Sequence, residues 1–351
     1  MALEALWYTR CAVPTPLGVA GRLGWLHEEF KADGITVKTV TESENVSERE
    51  SHYDHRLDYS FRLGGSIPAI WARARGRETR VVGISWVDEF QGIVALPDSG
   101  IRSVPDLAGR KLGLPKHDSA FIDHGRASAL RGFLSALALG GIARSNVAFV
   151  DLHERRNSIA EQGAVAVSGS RFTGPARKGG STELLALIRG QVDALYLKGP
   201  RGLQLVHQLG LHVVADLGSH PDPFVRANNC TPRPLTVDGR LLGERPDLVE
   251  QLVKIVAETG IWAASHPAET VQFIGQETST AEAWVRHGYG TKIAESLQLD
   301  LAETSVAALG QVKDFLFQNG FLDADFDVAA WVDAAPLQAI AHAEPRRRVA
   351  T

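Results

Sequence analysis

Cysteine, methionine and aromatic residues are scarce in this chain, and so is any excess of one charge. Cys11 and Cys230 are the only thiols, and one pair without CxxC spacing supports neither a disulfide framework nor a structural zinc site. The 37 basic and 41 acidic side chains leave a net charge of −4, which gives the protein no general pull towards nucleic acid or a membrane surface. No apolar run approaches the roughly 20 residues that a bilayer span requires. The opening Met1-Ala-Leu-Glu-Ala-Leu-Trp-Tyr has no basic n-region or small-residue cleavage site, so the expected location is cytoplasmic. Gly18-Val-Ala-Gly21-Arg-Leu-Gly24 has the wrong glycine spacing for a dinucleotide fingerprint, and no phosphate-loop motif follows a strand. No cofactor is expected. The partner these exclusions leave is a small molecule, and the expected state is a monomer.

What is present is the balance of a globular protein, 44% apolar and 22% charged, in a chain of 351 residues, too long for one compact core. Residues 5–8 read as a strand, and apolar residues at Val19, Leu23, Leu26 and Phe30 mark one face of a helix that Asp33-Gly34 stops. Residues 35–40 alternate as a strand does. The polar stretch 45–62 shows no clean period and reads as a decorated loop feeding a helix over 67–75. Strands follow at 79–85 and 92–96, a helix at 127–139, then strands at 147–151, 192–197 and 211–215. Strands separated by helices predict mainly parallel sheets. The last third is helical, with Pro246 at a first helical position. The expected fold is α/β and two-lobed, each lobe a mainly parallel sheet flanked by helices, with a hinge and a cleft between them. Lobe 1 takes residues 1–99 and 213–351, and lobe 2 takes 100–212. The Arg346-Arg347-Arg348 tail reads as a solvated end, and the Asn229-Cys230-Thr231 glycosylation triplet carries no weight without secretion.

Several segments resemble the sulfonate, nitrate and taurine branch of the solute-binding proteins, which have the type II periplasmic-binding-protein fold. These are Ser103-Val-Pro-Asp-Leu-Ala-Gly-Arg-Lys-Leu-Gly, Gly190-Gln-Val-Asp-Ala, Val237-Asp-Gly-Arg-Leu-Leu-Gly-Glu-Arg-Pro-Asp-Leu-Val, Phe315-Leu-Phe-Gln-Asn-Gly and Ala330-Trp-Val-Asp. A second set is similar to the 2'-hydroxybiphenyl-2-sulfinate desulfinases, enzymes on that scaffold that cleave a carbon–sulfur bond and release sulfite. It runs from Leu6-Trp-Tyr-Thr-Arg-Cys11-Ala-Val-Pro through Ser51-His52-Tyr53 to Tyr59-Ser-Phe-Arg62-Leu-Gly64-Gly65-Ser-Ile-Pro. The resemblance places that family's catalytic cysteine, histidine and arginine on Cys11, His52 and Arg62, and its oxyanion-contacting amide on Gly65. It implies a cofactor-independent desulfinase acting on a small anionic organosulfur substrate. The alternatives are a non-catalytic binding protein for a sulfonate or similar anion, and another cytosolic enzyme of this scaffold.

The residue types suit that chemistry. A guanidinium offers two donors in a plane, which matches the two oxygens of a sulfinate, so Arg62 is the candidate anion ligand. Gly64 and Gly65 let backbone approach closely at a helix start, where amides favour negative charge. A cysteine can attack sulfur as thiolate or protonate carbon as thiol, and both roles stay open for Cys11. His52 can orient the thiol or bind substrate. The His52-x-x-His55 spacing lacks a third ligand, so no metal is expected. Tyr53 offers a ring. Ser128, Lys198 and Arg201 fall where the desulfinases carry aromatic side chains, and they are candidate substrate contacts that shift preference towards a smaller or more polar substrate.

Overall fold

A computed structural model describes residues 3–118, 121–153 and 181–341. The Arg346–Arg348 tail lies outside them. The opening is β-α-β as expected: β1 (Ala5–Arg10), α1 (Pro16–Arg22), α2 (Trp25–Lys31) and β2 (Thr36–Thr39). The single helix expected over 19–30 is two, because Gly24 takes φ 74° between them. Thr15 caps α1, its hydroxyl accepting from the Gly18 amide at 2.9 Å.

The stretch expected to be a loop is instead helix α3 (Val46–Asp54) followed by β3 (Ser60–Leu63). Its start was written in the sequence as a cap. The Asn45 side chain accepts from the Ser47 amide at 2.9 Å, and Glu48 lies in the first turn. The hydrophobic period is missing because the helix buries only Arg49 and Ser51. Next come α4 (Ser66–Ala74), β4 (Thr79–Ser85), β5 (Gln91–Ala95), β6 (Lys111–Lys116), α5 (His124–Leu139) and β7 (Ala148–His153). After the undescribed stretch follow α6 (Ser181–Ile188), β8 (Ala194–Lys198), α7 (Gly199–Leu209), β9 (His212–Asp216) and β10 (Arg233–Asp238). The remainder is helical, with Pro246 in the first turn of Pro246–Ser265 and a further long helix at Glu303–Gln318. None of the described helices is long and apolar enough to cross a membrane.

The strands form two five-stranded sheets, ordered β2-β1-β3-β10-β4 and β7-β6-β8-β5-β9. In each, four strands run one way and the fourth in line, β10 or β5, runs against them. The architecture is the α/β, two-sheet arrangement that the alternation predicts. The second sheet draws β5 and β9 from positions flanking residues 100–212. The chain crosses between sheets over residues 86–90 and again over 217–232, and the crossings are bonded together: Thr231 Oγ1 donates to the Val87 carbonyl at 2.7 Å. One core cluster lies between the first sheet and the helix Pro246–Ser265, around Leu6, Phe61, Leu235 and Val253, and a second spans α4, α5 and Phe315.

Because β1 and β3 are parallel and adjacent, their carboxyl ends deliver Cys11 and Gly64-Gly65 to the same edge of the first sheet. That edge is where ligands of open α/β sheets bind. Arg10, immediately before Cys11, is anchored there by Glu277 of the helix Pro267–Thr278, with Nε to Oε1 at 2.7 Å and Nη2 to Oε2 at 2.5 Å. Both side chains are buried, so removing one leaves an uncompensated charge. Glu277→Gln is expected to lower the free energy of unfolding by about 3–5 kcal/mol in urea titration. An effect below about 1 kcal/mol would show that water already serves Arg10.

Candidate functional site

Four of the candidate residues, Cys11, Arg62, Gly64 and Gly65, meet at the turn between β3 and α4. A Cβ built on Gly64 would overlap Cys11 Sγ, lie 2.9 Å from Cys11 Cβ and stand 3.4 Å from Arg62 Nη2. The thiol therefore packs directly on the Gly64 backbone, with the guanidinium beside it. Gly65 is confined from the other side, where a Cβ would come 2.8 Å from Asn229 Oδ1. Close approach, and not left-handed backbone, is what both positions require.

Arg62 is buried, and its Nη1 donates to the Gly65 carbonyl at 2.8 Å, so one arm of its fork is used to brace the turn. Asn229, which sequence reasoning dismissed, holds the start of α4. Its carbonyl accepts from the Ser66 amide at 2.5 Å and its Oδ1 from the Ile67 amide at 3.0 Å. The amides free for an anion are correspondingly fewer than a bare helix start provides, and Gly65 is the one at the Cys11 end. No local pattern marks Asn229, whose partners lie more than 160 residues away in sequence.

His52 and Tyr53 occupy the last turn of α3, with ring centroids 4.8 Å apart. Tyr53 faces the start of α5, its ring 6.1 Å from His124 and 6.4 Å from Phe121, and Phe121 lies 6.1 Å from Trp71. An aromatic wall thus exists, built from Tyr53, Phe121 and Trp71 in place of the positions the resemblance pointed to. Ser128 is buried and turns its hydroxyl back onto its own helix, to the His124 carbonyl at 2.7 Å. It meets the crossing segment through its carbonyl, which accepts from Asn228 Nδ2 at 3.2 Å. Lys198 is drawn to Glu89 Oε1 at 3.1 Å and Cys230 Sγ at 3.2 Å, and Arg201 is exposed in the first turn of α7. Cys11, Arg62, Gly64 and Gly65 form one contact group; Lys198 belongs to another, and Ser128 and Arg201 to neither.

His55, behind Arg62, is the second residue that sequence reasoning passed over. It caps α3 in the left-handed region at φ 52° and is buried. Burial holds its imidazole well below the ordinary range, and the positive charge of Arg62, then His52 and Arg77, pushes the same way. A small cavity lined by Thr9, Ser51, His55, Arg62 and Thr236 lies there, and three buried polar atoms face it without hydrogen-bond partners: His55 Nε2, Arg62 Nε and Thr236 Oγ1. Neutral His55 leaves Arg62 as the only cation of that cavity. No group of His, Cys, Asp and Glu suited to a metal ion occurs among the described residues.

Comparison with known proteins gives four likenesses. A family model described as NMT1/THI5 like matches residues 13–132. The 2'-hydroxybiphenyl-2-sulfinate desulfinase of Rhodococcus erythropolis is 27% identical over 357 residues, covering 95% of this chain and 92% of that protein. The crystal structure of a cysteine-to-serine mutant of the desulfinase DSZB, in complex with biphenyl-2-sulfinic acid, superposes with a TM-score of 0.73 at 25% identity, over 96% of this chain and 98% of that one. The periplasmic aliphatic sulphonate binding protein of Escherichia coli shares the fold, with a TM-score of 0.64 at 15% identity over 94% of this chain and 97% of its own.

Two outcomes follow from the geometry. Gly64→Ala is expected to lower unfolding free energy by about 1–3 kcal/mol through overpacking against Cys11. Gly310→Ala, in open space within the helix Glu303–Gln318, is expected to raise it by about 0.5–1 kcal/mol. Thermal melts of the pair check this, and equal shifts of one sign would remove the steric argument. Folded His55 binds fewer protons than the unfolded chain, so its contribution to stability is full above the ordinary histidine pKa and is lost as pH falls below it. Between about pH 6.5 and 5.5 the parent is expected to lose up to ~1.4 kcal/mol more than His55→Gln does, measured by urea unfolding at each pH. Parallel pH profiles would mean that His55 binds protons alike in the folded and unfolded chain, and that burial does not hold it neutral.

Proposed function

We propose that this protein is a cofactor-independent desulfinase that cleaves the carbon–sulfur bond of an aryl sulfinate and releases sulfite. The observation that carries the reading is the convergence of Cys11 and Arg62 on the Gly64 backbone, at the carboxyl edge of the sheet, where open α/β sheets take their ligands. Full-length similarity to a desulfinase, and superposition on one holding biphenyl-2-sulfinic acid, give the reaction its class. The balance is hydrolytic: aryl sulfinate and water give arene and bisulfite.

The residues divide the work by chemistry. Arg62, braced through Nη1, directs its other donors at a sulfinate oxygen and stabilises the negative charge that stays with sulfur. The Gly65 amide supports the second oxygen. Cys11 serves in one of two ways. As thiolate it attacks sulfur, the carbon–sulfur electron pair goes to the ring carbon and is protonated, and water then splits the sulfur–sulfur bond. As thiol it protonates the ring carbon, sulfur leaves as the dioxide, and water converts this to bisulfite while restoring the thiol proton. His52 orients or relays the proton in either route. Tyr53, Phe121 and Trp71 supply a face for the aryl group. Two cysteines that are buried and unbridged fit a reducing, cytoplasmic setting, and the protein acts as a monomer. The second reading, a sulfonate-binding protein, draws on the fold shared with the E. coli protein and differs in releasing nothing.

Sulfite release from a panel of aryl and alkyl sulfinates tests the reading directly. Cys11→Ser is expected to abolish release while melting like the parent, since a hydroxyl matches the thiol in size and not in acidity. Arg62→Lys is expected to weaken both binding and turnover by about ten- to a hundredfold, the loss of a charged, bidentate contact worth about 1.5–3 kcal/mol. Tight sulfinate binding with no sulfite from the parent would transfer the protein to the binding class.

A further inference from the structure

Arg233 opens β10 and has no exposed surface, yet none of its Nε, Nη1 and Nη2 has a hydrogen-bond partner among the described residues. Arg131, almost as buried, shows what a satisfied guanidinium does in this fold: Nε donates to the Ala227 carbonyl at 2.6 Å and Nη2 to Gln311 Oε1 at 2.8 Å. Ser85 stands opposite Arg233 in the β4–β10 register, is equally buried, and its Oγ also lacks a partner. Two unsatisfied donors from adjacent strands therefore share one face of the sheet. Burying a charge without a counter-ion costs several kcal/mol, so a fold that keeps one has a use for it.

The surroundings leave that charge unbalanced. Lys198 and Glu89 neutralise each other at 3.1 Å, and Cys230 Sγ lies 3.2 Å from the same Lys198 Nζ. Loss of hydration raises the Cys230 thiol and the Tyr289 phenol above their ordinary values, which keeps both neutral. Arg233, whose field reaches Cys230 and Tyr289, is the remaining net positive charge of the cluster.

We infer that Arg233 and Ser85, with Lys198 and Tyr289 alongside, form a second anion site that takes a small oxyanion of the sulfite or sulfonate type. The donor set fixes the class: a planar fork and a hydroxyl fit oxygens arranged around one central atom. It is separate from the Cys11 site. Thr236 is in register with Arg62, and Arg233 lies an odd number of residues before it, so the two arginines point to opposite faces of the sheet. One segment touches both sites, because Asn229 binds the start of α4 and the next residue, Cys230, binds Lys198. Occupancy at Arg233 thus bears on the backbone that positions Gly65. The inference rests on the desulfinase reading only for the source of the ion, which is the released sulfite or another inorganic oxyanion.

Calorimetric titration of the parent with sodium sulfite, sodium sulfate and sodium methanesulfonate, at fixed ionic strength against chloride, is the test. Two equivalents of sulfite or methanesulfonate are expected for the parent. Arg62→Lys should lose one of them and Arg233→Met the other, so failure of the desulfinase reading and failure of this site are read separately. Ser85→Ala, the milder change, should weaken the Arg233 equivalent about tenfold while leaving the fold and the Arg62 equivalent in place. The same variants are melted without oxyanion, where Arg233→Met should be at least as stable as the parent, and with oxyanion at a hundred times its dissociation constant. There the parent's folding equilibrium should rise about a hundredfold more than that of Arg233→Met, which keeps only the Arg62 equivalent. Sulfite preferred over sulfate by tenfold or more marks the released product as the ion, and equal affinities mark a general oxyanion site. A single equivalent in the parent, or a second one untouched by both Arg233→Met and Ser85→Ala, overturns the inference. If Arg233→Met does not fold, Ser85→Ala and the oxyanion-dependent melt of Arg62→Lys, which keeps only the Arg233 equivalent, decide alone.

Discussion

The turn that leaves β3 is held between two side chains from distant parts of the chain, Cys11 Sγ against Gly64 and Asn229 Oδ1 against Gly65, with no room for a Cβ at either place. Much of the candidate site follows from that double constraint. With the turn clamped, the Gly65 carbonyl is fixed where Arg62 Nη1 reaches it, and the guanidinium is fixed in turn beside the thiol. The same clamp starts α4, because Asn229 supplies the acceptors that its first amides need. Catalytic groups set by backbone contact lose little freedom when a substrate arrives, and that pre-organisation is what orientation effects in catalysis depend on.

Charge is arranged in layers around this clamp. Arg10, one residue before Cys11, is turned away to Glu277, which also draws Arg22, while Arg62 is the guanidinium that stands beside the thiol. His55, kept neutral behind Arg62, adds no second cation. At the end of β8 in the second sheet, Lys198 is paired with Glu89.

The opening β-α-β unit, the βα alternation and the long terminal helices were legible because each rests on local periodicity and punctuation. Legibility failed where structure comes from pairing across the chain. Helix α3 carries its signal in the Asn45 and Glu48 cap and not in a buried stripe, so a search for period misses it. Asn229, Ser85 and Arg233 carry no local mark at all, since what distinguishes them is an opposing strand or a helix start far away in sequence. Cys11, Arg62, Gly64 and Gly65 came into view from the sequence because they lie in a motif. Ser128 and Arg201 rest only on where the desulfinases carry aromatic side chains, and Ser128 turns its hydroxyl onto its own helix.

The chain enters and leaves the second sheet through strands that lie side by side, Gly92 being paired with Asp216. A segment whose two ends are neighbours is a cassette: it can be traded for another of equal end spacing without disturbing the framework that receives it. Cys11, Arg62, Gly64, Gly65 and Asn229 all stand on the framework, while Phe121, His124, Ser128, Lys198 and Arg201 ride on the cassette. The group around Cys11 is therefore heritable apart from Phe121, the one ring of the aromatic wall that the cassette brings to Tyr53 and Trp71, and recombination at two adjacent points can replace that ring while the group stays.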